Sequence, residues 1–219
     1  MQFFLDTADI NEIKTLLDSG LVDGVTTNPS LVAQQTGQNF LLLTKEIATT
    51  VAGPVSAEVT ATDYETMQRE ADKLAAIAPN IAVKVPLTEA GLRVCKNLSA
   101  RGIMVNVTLC FSAAQALLAA KAGATFISVF VGRLDDIGHD GISVLDEVIQ
   151  MYRQHPDIQT KVLAASLRHV QHVLMAAKVG ADVATMPPKI LRQMFAHPLT
   201  DKGLAAFTAD WQKTGQSIL

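Results

Sequence analysis

Ile81-Ala82-Val83-Lys84-Val85-Pro86 is a strand-length run of small and branched apolar residues broken by one charge. Val and Ile favour a pleated backbone, and an apolar run closed by proline reads as a strand covered on both faces, as strands of parallel sheets are. A solvated lysine has no reason to stand there. Lysines are seldom buried unless they are paired or working.

Outward from this strand the same pattern repeats along the 219 residues, short β-branched runs alternating with longer amphipathic stretches. The spacing predicts eight strands: Phe3–Asp6, Gly24–Asn28, Val55–Val59, Ile81–Val85, Met104–Leu109, Phe126–Val131, Lys161–Ser166 and Val183–Met186. Helix starts are signalled at Thr7-Ala8-Asp9, Ala61-Thr62-Asp63, Thr88-Glu89 and Phe111-Ser112, and helix ends at Gly20, Gly102, Gly123 and Gly180. Even spacing, and the absence of a GxGxxG after the first strand, favour a closed barrel over an open doubly wound sheet. The expected fold is a single α/β domain over residues 1–219, a (β/α)8 TIM barrel. Residues 199 to 219 are expected to form a helical extension, with Leu204, Phe207 and Trp211 on one face. A helix left over after closure packs on a neighbour, so a homo-oligomer is expected.

Composition narrows the functional classes. With 49% hydrophobic, 18% charged and 5% aromatic residues, the chain has the material for one large core. A net charge of −3 with scattered basic residues argues against nucleic acid as a partner. No apolar run reaches the roughly 18 residues of a membrane span, and the N-terminus lacks a signal-peptide pattern, so a cytoplasmic protein is expected. Cys95 and Cys110 stand outside any CxxC or His-rich setting and read as buried apolar residues.

Strand side chains alternate faces, so parity sorts what points into the barrel from what points at the helices. Odd positions carry Val25, Val55, Val59, Val83, Val85, Val105, Val107, Ile127, Val129 and Val131, the apolar face that packs under helices. Even positions near strand C-termini carry Asp6, Thr26, Asn28, Ser56, Glu58, Lys84, Asn106, Thr108, Ser128 and Ser166. Active sites of such barrels lie at the C-terminal mouth, where these residues would converge.

Burial disfavours the charged form of a lysine, and a neutral amine attacks a carbonyl to give a Schiff base that serves as an electron sink for C–C cleavage. Asp6 and Glu58 are the candidate proton carriers, with Thr108 able to position a water. Against this stand simpler readings: a structural ion pair of Lys84 with Glu58 or Asp6, a helix-capping role for Asp6, and satisfied core hydroxyls and amides for Thr26, Asn28 and Ser128. For an anionic substrate the chain offers Arg133 beyond the sixth strand, and Ser166 with Arg168 at the start of the helix after the seventh. Arg133 has an alternative partner in Asp135 or Asp136. His139, His155, His169, His172 and His197 fall on loops or helices without ligand spacing, so neither metal nor cofactor is expected.

The stretches Phe4-Leu5-Asp6-Thr7-Ala8, Gly24-Val25-Thr26-Thr27-Asn28-Pro29-Ser30, Val83-Lys84-Val85-Pro86 and Phe130-Val131-Gly132-Arg133-Leu134-Asp135-Asp136 resemble the transaldolase family over the whole chain. The likeness is to its short subfamily, which includes fructose 6-phosphate aldolase, and it implies a class I, Schiff-base aldolase-like barrel. It also implies that Lys84 is the Schiff-base lysine, Asp6 the acid/base of C–C cleavage, and Glu58 and Thr108 the holders of the catalytic water. Thr26, Asn28, Asn106, Ser128 and Phe130 become the candidate substrate-binding set, and Arg133, Ser166 and Arg168 the candidate phosphate-binding set.

Lyases of the subfamily typically have Gln and Tyr where this sequence has Glu58 and Phe130, the transaldolase choice. A tyrosine hydroxyl would help protonate the carbanion left by cleavage; a phenylalanine cannot. The resemblance therefore implies transfer of dihydroxyacetone between sugar phosphates in the non-oxidative pentose phosphate pathway: sedoheptulose 7-phosphate and glyceraldehyde 3-phosphate give erythrose 4-phosphate and fructose 6-phosphate. The alternatives are a fructose 6-phosphate aldolase and a non-catalytic sugar-phosphate-binding barrel. Members of the subfamily commonly form rings of five paired into ten, the closing helix crossing to a neighbour.

Overall fold

The computed structural model describes residues 1–35 and 37–219. Eight parallel strands, each hydrogen-bonded to the next and the last to the first, close a barrel in sequence order. They are β1 (Gln2–Asp6), β2 (Gly24–Thr26), β3 (Val55–Glu58), β4 (Ile81–Pro86), β5 (Val105–Cys110), β6 (Phe126–Phe130), β7 (Lys161–Ala165) and β8 (Val183–Met186). Around them lie α1 (Ile10–Leu17), α2 (Pro29–Ala33), α3 (Phe40–Thr50), α4 (Tyr64–Ala75), α5 (Glu89–Ala100) and α6 (Ala113–Ala122). The chain continues through α7 (Val131–Asp135), α8 (Gly141–Arg153), α9 (Val170–Val179), α10 (Pro188–Phe195) and α11 (Pro198–Lys213).

The helix signals act as expected. Asp9, Asp63, Thr88 and Ser112 each accept a backbone N–H from the first turn of α1, α4, α5 and α6. Gly123 and Gly180 close α6 and α9 in the left-handed conformation, where a side chain would be strained. Asn28 ends β2 sooner than expected: its Oδ1 accepts the Leu31 N–H at 3.0 Å, capping α2, and Pro29 is already helical. Val131 likewise starts α7 rather than ending β6, so Arg133 stands on a short helix and not on a loop.

Parity holds for β1 to β6 except at Cys110, which a bulge after Val107 in β5 turns toward the helices, and reverses in β7 and β8. The interior of the barrel is plugged by Phe4, Ala82, Phe126, Leu163, Ala165 and Val183, with Phe4 and Phe126 edge to face at 5.8 Å. Leu163, Ala165 and Val183 are odd-numbered, whereas Ala164, Ala184 and Met186 join the core beneath the helices. Each crossover's length sets the parity of the strand after it, so one numbering rule need not run around the whole barrel, and here it fails at β7 and β8. Ser166 accordingly lies beyond the end of β7, in a left-handed backbone conformation with φ +58°.

Cys95 lies in α5 and Cys110 at the end of β5, both buried and unpaired with each other. Burial pushes their thiols up to about 12 and about 11, which leaves them protonated and unreactive. Among the described residues no helix is long and apolar enough to cross a membrane.

Candidate active site

Register brings the polar inward residues together. Asp6 pairs in register with Thr26 and Thr26 with Ser56, and, one step further up β3, Glu58 pairs with Lys84 and Lys84 with Asn106, so two runs of polar inward residues stand side by side from β1 to β3 and from β3 to β5. Lys84 is 5% exposed. Its Nζ donates to the Thr27 carbonyl at 3.1 Å and lies 3.0 Å from Glu58 Oε2. The ion pair that a purely structural reading of Lys84 requires is therefore present. It does not occupy the whole amine, which also lines a cavity of about 100 Å³ at the C-terminal mouth.

That cavity is walled by Asp6, Thr26, Asn28, Lys84, Ser128, Phe130, Arg133 and Ser166, and by Ala165 and Thr185 from the two strands of reversed parity. Thr26 donates to Asp6 Oδ1 at 2.8 Å and shares a second hydrogen bond with Thr185 at 2.6 Å. Burial, the largest influence, pushes the Asp6 carboxyl above the ordinary carboxylate range, while Lys84 and the Thr26 hydroxyl pull it down. The cap of α1 is Asp9, which frees Asp6 from the capping role considered for it.

Some of the nominated residues stand apart from the cavity. Asn106 is fully buried beneath it, donating to Ser56 Oγ at 3.0 Å and accepting from Ser128 Oγ at 2.7 Å, so it orients Ser128. Glu58 faces the neighbouring cleft formed with Thr27, Asn28, Phe40 and Thr60. Thr108 is fully buried, and its Oγ1 has no hydrogen-bond partner among the described residues. Phe130 packs edge-on to Phe111 at 5.6 Å and lies under the Arg133 guanidinium, 5.0 Å away.

The anion-binding residues are arranged differently from the sequence expectation. Arg133 forms no ion pair among the described residues and faces the cavity; it is Arg168 that pairs with Asp136, at 2.7 Å. Ser166 and Arg168 do not start the following helix, because α9 begins at Val170 behind His169, whose Nδ1 accepts the His172 N–H. Both sit instead in the turn between β7 and α9, with Arg168 Nε 3.5 Å from Ser166 Oγ. Gly132, at the start of α7, passes so close to this turn that a Cβ would sit 2.2 Å from the Ser166 carbonyl oxygen. Thr185 was invisible to the single-parity reading; counting β8 by itself, outward from the buried Val183, would have found it.

Fold and mouth together define a class of protein, a closed parallel (β/α)8 barrel that converges a buried lysine and two carboxylates at the ends of its first, third and fourth strands. Residues 3–218 match the family described as Transaldolase/Fructose-6-phosphate aldolase, and the chain belongs to that family. It is 64% identical over 219 residues to a probable transaldolase of Rhodospirillum centenum, covering 100% of this chain and 94% of that one. A probable transaldolase of Parvibaculum lavamentivorans is 63% identical over 219 residues, covering 100% of both chains. Another, of Brucella abortus, is 58% identical over 218 residues, with 100% of both chains covered.

Solved structures of similar fold include thiamine phosphate pyrophosphorylase from Pyrococcus furiosus, with a TM-score of 0.60 at 14% identity over 85% of each chain. Inosine 5′-monophosphate dehydrogenase from Legionella pneumophila gives 0.61 at 13% identity, over 87% of this chain and 58% of that one. At such identities the likeness is one of fold alone.

Proposed function

We propose that this protein is a transaldolase that carries a dihydroxyacetone unit between sugar phosphates on Lys84. The observation that carries the reading is the placement of the Lys84 amine, buried at the barrel mouth between Glu58 and a cavity it shares with Asp6 and Arg133. Kinship with probable transaldolases along the full chain supports the same conclusion.

The chemistry follows from the arrangement. The Lys84 amine sheds a proton, for which Glu58 at 3.0 Å is the nearest base, attacks the ketose carbonyl and expels its oxygen as water. Asp6 takes the proton of the hydroxyl two carbons from the iminium. The C–C bond between them breaks, an aldehyde leaves, and the electron pair is held on the lysine-bound enamine. An incoming aldehyde then accepts that pair at its carbonyl carbon while Asp6 returns the proton to its oxygen. Water hydrolyses the new iminium and restores Lys84; Glu58 and the Thr108 hydroxyl, which has no partner among the described residues, are the groups we assign to hold it.

Asn28, Thr26 and Ser128 are read as hydroxyl ligands, with Asn106 behind Ser128, and Arg133 with Ser166 as the phosphate end. Arg168 would act beside them through the turn it shares with Ser166. The exposed apolar residues of α11 support a homo-oligomer.

Borohydride reduction in the presence of fructose 6-phosphate is expected to leave a dihydroxyacetone-derived mass adduct on Lys84, and none in Lys84→Met. Absence of the adduct would favour the non-catalytic barrel. Transfer is expected to depend on erythrose 4-phosphate; release of free dihydroxyacetone at the same rate without it would assign the lyase reaction instead.

A further inference from the structure

We infer that His172, outside the cavity, is a positioning residue that holds the two halves of the anion site in register through its neutral Nε2–H tautomer; this rests on the reading of the mouth as a sugar-phosphate site. The two halves come from different elements: Arg133 from α7, and Ser166 from the turn after β7. At one end Gly132 N–H donates to the Ser166 carbonyl at 3.1 Å. At the other end the bridge is His172.

His172 is 7% exposed, and both ring nitrogens are engaged. Nε2 lies 2.9 Å from Asp135 Oδ2, and Asp135 Oδ1 accepts the Gly141 N–H at 2.9 Å, fixing the carboxylate between the end of α7 and the start of α8. Nδ1 accepts the backbone N–H of Arg168 at 3.2 Å. A backbone N–H can only donate, so Nδ1 must carry a lone pair, and the ring proton is thereby assigned to Nε2, facing Asp135. The imidazole thus ties the C-terminus of α7, two residues beyond Arg133, to the turn two residues beyond Ser166.

The charged and titratable groups facing the ring are Asp135 from α7, His169 at the cap of α9, and Arg168 from the turn. His169 lies against it, tilted by 40° with ring centroids 3.7 Å apart, and the Arg168 guanidinium pairs with Asp136. Burial first, and then His169, hold the His172 imidazole below its ordinary value against the pull of Asp135. The neutral form therefore prevails near neutral pH. Protonation would place an N–H at Nδ1 against the Arg168 N–H, two donors facing each other, and would release the turn.

This gives a sign that separates positioning from charge. A cation added near an anion site strengthens anion binding through space; opening the turn weakens it. Sulfate is a suitable probe, because its charge is constant across the imidazole range. By calorimetry, wild-type affinity for sulfate is expected to fall as pH drops through the lowered range in which the His172 imidazole takes up its second proton. His172→Ala is expected to bind about tenfold more weakly near pH 7.5. His172→Asn places Oδ1 where Nδ1 stood, keeping the bond to the Arg168 N–H but falling short of Asp135, and cannot titrate, so it is expected to bind between wild type and His172→Ala and to lose the acid fall.

Dihydroxyacetone, which lacks phosphate, is expected to form its Lys84 adduct equally well in all three proteins. Loss of that adduct in wild type sinks the catalytic reading and leaves the sulfate result to judge His172. Sulfate affinity that rises in acid, is unchanged in His172→Ala, or is undetectable in wild type overturns the inference. If His172→Ala does not fold, the wild-type and His172→Asn pH profiles decide it.

Discussion

Asp6 holds a carboxyl that burial drives above the ordinary range, although Lys84 and the Thr26 hydroxyl both favour its ionised form. The linked effect on stability has a definite sign. The folded state binds the proton more tightly than the unfolded chain, whose carboxyl titrates near 3.8. The stability Asp6 contributes is complete below that value and is lost as pH rises through the folded value. Near pH 7 the stability linked to this proton is therefore reduced relative to acid, and Asp6→Asn, which keeps an oxygen for Thr26, is expected to melt higher. About 1 kcal/mol, or roughly 2–4 °C in Tm, is the scale for one such group in a chain of this size. Melting curves should converge toward about pH 3.5, where wild-type Asp6 is neutral too, while transfer activity falls by orders of magnitude at every pH. A variant that melts lower near pH 7 would mean that the pair with Lys84 outweighs burial. Asp6, Glu58 and Lys84 were legible in sequence because charge in an apolar strand is rare. Thr185 was not, because a threonine in a strand is ordinary.

Elements were legible where a local signal fixes them and illegible where closure does. The caps Asp9, Asp63, Thr88 and Ser112 and the left-handed Gly123 and Gly180 were readable, because each satisfies orphan backbone groups by itself. The reversed parity of β7 and β8 and the short helix α7 depend on crossover length and on how Gly132 meets the Ser166 turn, which no local pattern encodes. The capping assignment is testable at this scale. Asp9 Oδ1 accepts from Asn11 and Glu12 N–H at 2.9 and 3.3 Å, so Asp9→Ala is expected to cost about 1 kcal/mol. Denaturant titration should show that loss with transfer activity near wild type, since Asp9 does not line the cavity. Activity lost at Asp9 with stability intact would reverse the roles given to the two aspartates.

The whole molecule ends in a helix that its own barrel does not bury. No residue of α11 is buried; Leu199 is 69%, Leu204 66%, Phe207 75% and Trp211 43% exposed. Leu204, Phe207 and Trp211 recur at three- and four-residue spacing, which puts them on one stripe of the helix. An isolated helix of 16 residues is marginal in water, and the homo-oligomer proposed above would cover a stripe that the barrel leaves exposed. Covering one phenylalanine contributes about 1.5–3 kcal/mol per subunit, enough to shift assembly by one to two powers of ten in concentration. Phe207→Glu is therefore expected to lower the mass seen by sedimentation at micromolar concentration. The barrel should still fold, because no core residue is touched. Trp211 is the lone tryptophan, so its emission reports on this helix directly. It should shift to the red on dilution of the wild type and start red in Phe207→Glu. An assembly of unchanged mass, with Trp211 emission unmoved, would place the subunit interface on another face of the barrel.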